Sequence, residues 1–110
     1  MAQTHAASGE VIKLQALGAL ISAHRTSALI KARQLELVRV VLRAGQSLRE
    51  HSAPGEITVF CLEGTIEFTT PIVRQRLQAG DLIHLGPGEP HALLGLTDAT
   101  ALVTICLGAP

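Results

Sequence analysis

Residues 80–91, GDLIHLGPGEPH, constrain the fold of this 110-residue chain more than any other stretch. A Gly-Asp turn opens it, a short apolar run carrying His84 follows, and a second turn rich in Gly and Pro stands directly before His91. Glycine supplies a positive φ and proline a fixed one, so Gly86, Pro87, Gly88 and Pro90 together hold the backbone ahead of His91 in one conformation. A histidine aimed by its backbone in this way is suited to be a ligand.

The same alternation of apolar run and turn extends through most of the chain. Apolar runs, many β-branched, occupy residues 28–32, 35–42, 57–62, 65–70, 73–77, 82–85, 92–96 and 101–106, and turn residues such as Gly45, Gly55, Gly64, Pro71 and Gly80 separate them. Eight or nine short strands in so small a chain predict an all-β sandwich or barrel. Residues 1–26 lack this regularity. The first nine read as a loose terminus, and residues 10–23 fit either a helical face through Leu14, Leu17 and Ile21 or a strand from Val11, of which a strand followed by irregular structure is preferred. The expected organisation is an N-terminal segment, 1–26, and one barrel, 27–110. In residues 35–42, Val38, Val40 and Leu42 share a core face, while Leu37, Arg39, Val41 and Arg43 share an outer face that is either solvated or an interface.

Composition narrows the partners. Nine Lys plus Arg balance nine Asp plus Glu, so no net field draws in nucleic acid or an anionic membrane. Phe60 and Phe68 are the only aromatic residues, which removes the stacking surfaces that bases need and that sugars usually use. The longest uncharged N-terminal run, residues 14–23, is too short to span a bilayer and lacks a basic lead, so a cytoplasmic location is expected. Cys61 and Cys106 form no C-x-x-C and read as buried free thiols. Glu63 and Glu67, at and after a hairpin turn, read as solvated.

Residues 45–64, GQSLREHSAPGEITVFCLEG, taken with residues 80–91, resemble the two motifs of the cupin superfamily. The first motif there runs Gly, five residues, His-x-His, three or four residues, Glu, six residues, Gly; the second runs Gly, five residues, Pro-x-Gly, two residues, His, three residues, Asn. Gly45, His51, Gly64, Gly80, Gly88 and His91 fall where the pattern asks, whereas Ala53 replaces the second histidine, Gly86 the proline and Gly95 the asparagine. The resemblance spans residues 35–106. It implies a small double-stranded β-helix, or jelly-roll, barrel of the RmlC-like single-domain kind, usually a homodimer whose N-terminal strands pair across the interface. It also implies a divalent metal ion where the motifs meet, or none if the site has degenerated.

The carboxylate decides between these. Ile57 stands at the motif's glutamate position and Glu56 is one residue earlier, so strand alternation sends the Glu56 side chain to the face opposite Ile57, Val59 and Cys61. Only a bulge or a flexible turn after Pro54-Gly55 would bring Glu56 inward. His51 and His91 are the retained candidate metal ligands. Two imidazoles hold a divalent ion poorly, and a third donor is needed, the candidates being Glu56 if the backbone permits, His84, and after these Cys61 as a soft ligand. Ile57, Val59, Cys61 and His84 are expected to line a ligand pocket.

Three functions follow from that resemblance. A metal-dependent enzyme would use the ion held by His51 and His91 on a small molecule. A binding or sensory module would hold a ligand at the same histidines without a metal. A structural barrel would have a filled interior. No G-x-S-x-G context supports a hydrolase, and the turn before His91 lacks the Lys-Ser/Thr of a phosphate loop.

Overall fold

A computed structural model describes residues 5–107; the side chains of Glu50 and His51, together with residues 1–4 and 108–110, lie outside the description. A 3-10 helix at Gly18–Ala23 precedes nine strands: β1 (Ser27–Lys31), β2 (Leu35–Leu42), β3 (Ser47–His51), β4 (Ile57–Glu63), β5 (Thr65–Thr69), β6 (Arg74–Gln78), β7 (Leu82–Leu85), β8 (His91–Gly95) and β9 (Ala99–Cys106). They form a five-stranded sheet in the order β1-β2-β9-β4-β7 and a four-stranded sheet in the order β3-β8-β5-β6. Among the described residues the ladders of both sheets are antiparallel. This is an all-β jelly roll.

The period of two in the sequence becomes the two faces of each sheet. In β4, Ile57, Val59 and Cys61 are 3%, 0% and 0% exposed, while Thr58 and Phe60 between them are partly exposed on the outer side. Ile66 and Phe68 of β5, Leu77 of β6 and Leu93 of β8 face them from the second sheet, and Val40, Leu42, Ala101 and Val103 continue the same core. At the β4–β5 turn Gly64 has φ 80°, and a Cβ there would collide with the Asp98 carbonyl oxygen and with Ala99. Only glycine suits both demands.

β3 has no counterpart among the apolar runs of the sequence. Its residues, SLREH, are mostly polar, and its strand conformation comes from pairing with β8, with an irregularity between Leu48 and His51. The strand expected near Val11 is absent. Residues 10–17 are irregular, and the 3-10 helix follows them. The chain here is fastened from outside rather than by a ladder: Ala6 N–H donates to the Leu29 carbonyl, and the Leu17 and Gly18 N–H groups donate to the two Glu63 carboxylate oxygens at 2.8 and 3.0 Å. Ile21, 4% exposed, is the buried side chain of the helix.

Candidate functional site

The two motifs are tied together by backbone. The Gly88 N–H donates to the Ala53 carbonyl at 2.9 Å, joining the turn before β8 to the loop between β3 and β4. Gly88 has φ 73°, the left-handed conformation that lets the turn present its N–H there. At the first motif's opening glycine, the Gly45 N–H donates to the Gly95 carbonyl. His51 and His91 stand opposite one another in the β3–β8 ladder. The His51 side chain lies outside the described residues.

His91 is 2% exposed, one of two buried polar side chains among the described residues. Its ring lies nearly parallel to Phe68, with centroids 5.8 Å apart and planes at 7°. Its Nδ1 is 3.1 Å from the Glu89 carbonyl oxygen. A carbonyl only accepts, so Nδ1 carries a proton and donates it to Glu89.

Beside this ring the two sheets leave a partly open cavity of about 140 Å³. Val38 and Val40 of β2, Val103 and Ile105 of β9, Leu48 of β3 and Leu93 of β8 form its walls, with Thr26 and His91 as the polar residues. The Thr26 hydroxyl oxygen accepts the Val41 N–H at 2.9 Å and faces the Val41 carbonyl at 3.4 Å. Sequence reasoning missed most of this wall. The core face of β2 was legible, but Thr26 carries no signal before the register of β1 is known, and Leu48 sits in the strand that polarity concealed.

The remaining predicted residues lie elsewhere. Ile57, Val59 and Cys61 point inward as expected but into the packed part of the core, so they do not line the cavity. Burial, followed by the negative charge of Asp81, raises the Cys61 thiol above its ordinary range, and its S–H lies 3.4 Å from the Gly64 carbonyl oxygen. It is an inert packed thiol. Cys106, expected to be buried, is exposed.

Glu56 and His84 meet each other and not His91. Thr58 is paired with His84 across β4 and β7, and the Glu56 carboxylate reaches His84 Nε2 at 2.6 Å. Both side chains are more than half exposed, at 58% and 59%, on the outer side of the five-stranded sheet. His84 shares that face with Leu82, which is also exposed. They border a separate surface hollow of about 200 Å³, together with Ile57, Thr58, Thr104 and Cys106, so Ile57 and His84 share this hollow and not the interior cavity. Among the described residues no three His, Cys, Asp or Glu side chains come together as a metal-binding group. Among the described residues His91 is the histidine that faces the interior, and the side chain of His51, its partner in the β3–β8 ladder, lies outside the description.

Glu63, read from sequence as solvated, is instead a structural acceptor. Burial pushes its carboxyl up, but the N–H groups of Leu17 and Gly18, the Thr100 hydroxyl at 2.8 Å and the charge of Arg39 outweigh it and hold the carboxyl below its ordinary value.

The two-sheet jelly roll and the spacing of its glycines and histidines define a small barrel of the cupin kind. A family model described as "Cupin domain" matches residues 38–108, well over half of the chain, and the protein belongs to that family. No curated protein matches the chain. Among solved structures, a conserved protein of unknown function from Streptococcus pyogenes is 22% identical with a TM-score of 0.76, the match covering 100% of both chains. A cupin superfamily protein from Desulfitobacterium hafniense is 20% identical with a TM-score of 0.75, covering 84% of this chain and 88% of that one. The DMSP lyase DddQ of Ruegeria pomeroyi is 26% identical with a TM-score of 0.66, covering 76% of this chain and 47% of its own.

Proposed function

We propose that this cupin is a small-molecule-binding protein whose interior cavity works without a metal ion held by a His-His-Glu set. The observation that carries the reading is the division of the polar groups: Glu56 is engaged by His84 outside the barrel, and the cavity inside is walled by aliphatic residues beside His91. In such a site apolar burial supplies affinity and His91 supplies orientation. The test is reconstitution with Fe(II), Mn, Ni, Cu and Zn in turn, followed by dialysis and elemental analysis of wild type, His51→Ala and His91→Ala. Metal well below one ion per chain is expected for all. A stoichiometric ion retained by wild type and lost in both variants would overturn the reading.

That second outcome corresponds to a metal-dependent enzyme, which one observation favours. The Glu89 carbonyl accepts from His91 Nδ1 and so orients the ring, as backbone carbonyls commonly do for metal-ligating histidines. His51 and His91 would then hold the ion with a donor other than Glu56. The R. pomeroyi DMSP lyase gives an instance of enzyme chemistry on a related barrel. Under either reading we propose a homodimer, which light scattering after size exclusion tests.

A further inference from the structure

We infer that the cavity takes an uncharged, largely apolar molecule of about the size of benzene or toluene, an inference that rests on the interior-binding reading above. At about 140 Å³ the cavity is close in size to an engineered aliphatic cavity of about 150 Å³ in another protein that stays dry and takes up benzene. Val38, Val40, Leu48, Leu93, Val103 and Ile105 surround it from four strands of both sheets. Among the described residues no Lys, Arg, Asp or Glu side chain reaches it.

Its two polar residues are already committed in part. Thr26 is held by the backbone of Val41, and His91 gives its Nδ1 proton to Glu89 and lies flat on Phe68. A carboxylate or phosphate entering the cavity loses its hydration and, among the described residues, meets no Lys or Arg in exchange. A sugar brings several hydroxyls to walls that offer them few partners. A molecule with little polar surface loses almost nothing on entry and gains by leaving water.

The test is titration of the full ¹⁵N-labelled chain with toluene, benzoate and glucose, followed by amide chemical shifts, with pressurised xenon as a probe of space alone. Xenon and toluene are expected to shift the amides of Val40, Leu48, Leu93 and Val103 saturably, with benzoate weaker by about tenfold or more and glucose silent. Val38→Phe places a ring in the cavity from a partly exposed position and is expected to abolish the toluene response. Ile105→Phe serves the same purpose if that variant does not fold. Benzoate or glucose binding there as tightly as toluene overturns the ligand class and leaves interior binding standing, as does xenon entry without a toluene response. A toluene response that survives both substitutions overturns the placement. Silence from every probe, xenon included, overturns the ligand class and interior binding together.

Discussion

At the scale of single residues, the sharpest contrast is between Gly64 and the Glu56–His84 pair. A methyl group at Gly64 meets backbone atoms of Asp98 and Ala99 and must also accept φ 80°. Gly64→Ala is therefore expected to destabilise the barrel by about 3 kcal/mol or more, read as a lowered midpoint in urea. The outer pair is short, at 2.6 Å, but stands in solvent. His84→Ala is expected to change stability by less than about 1 kcal/mol and to leave toluene binding in the cavity unaltered. A large loss of binding in that variant would place His84 in the functional site after all. His84 also shows how far a sequence carries a site. That it shares a strand face with Leu82 is legible; that this face is the outer one depends on how β7 pairs with β4, which no local spacing encodes.

Among the elements, the N-terminal segment is held by a titratable clasp. The Leu17 and Gly18 N–H groups and the Thr100 hydroxyl all donate to Glu63, whose carboxyl lies below its ordinary value in the folded protein. A depressed carboxyl contributes stability above its unfolded pKa of about 4.3, and that contribution is lost as pH falls through the folded value. Glu63→Gln, which keeps the shape and removes the charge, is expected to lower stability by about 1 kcal/mol at pH 7. The difference should shrink toward zero well below pH 4, as urea titrations at a series of pH values would reveal. A difference constant with pH would mean that the clasp depends on shape and not on charge. Elements with strong period-two patterns, β2 and β4 above all, were legible because one face of each is core. β3 was not, since SLREH gains its conformation from a distant partner. The segment at 10–23, expected as a strand followed by irregular structure, is irregular to residue 17 and then a 3-10 helix, because a few apolar residues at short spacing fit a strand as well as a stretch anchored by side-chain acceptors elsewhere.

For the molecule as a whole, the arrangement of β9 matters most. It lies between β2 and β4 in the five-stranded sheet and pairs with both along nearly its full length. Its buried apolar side chains, Ala99, Ala101 and Val103, belong to the core. Ala101→Asp is expected to abolish cooperative folding, because it places a charge at a 0% exposed position in the strand that joins the two halves of the sheet. Circular dichroism and a thermal melt would check this, and a retained sharp transition would mean that the sheet tolerates a break at its centre. Pairings between strands so far apart in sequence also slow folding, so refolding in the millisecond-to-second range is expected by stopped flow. During synthesis the strands that β9 will divide, β2 and β4, leave the ribosome with their facing edges bare. Until β9 follows, the growing chain presents two unsealed strand edges to its neighbours, an interval in which holdase chaperones would have most to protect.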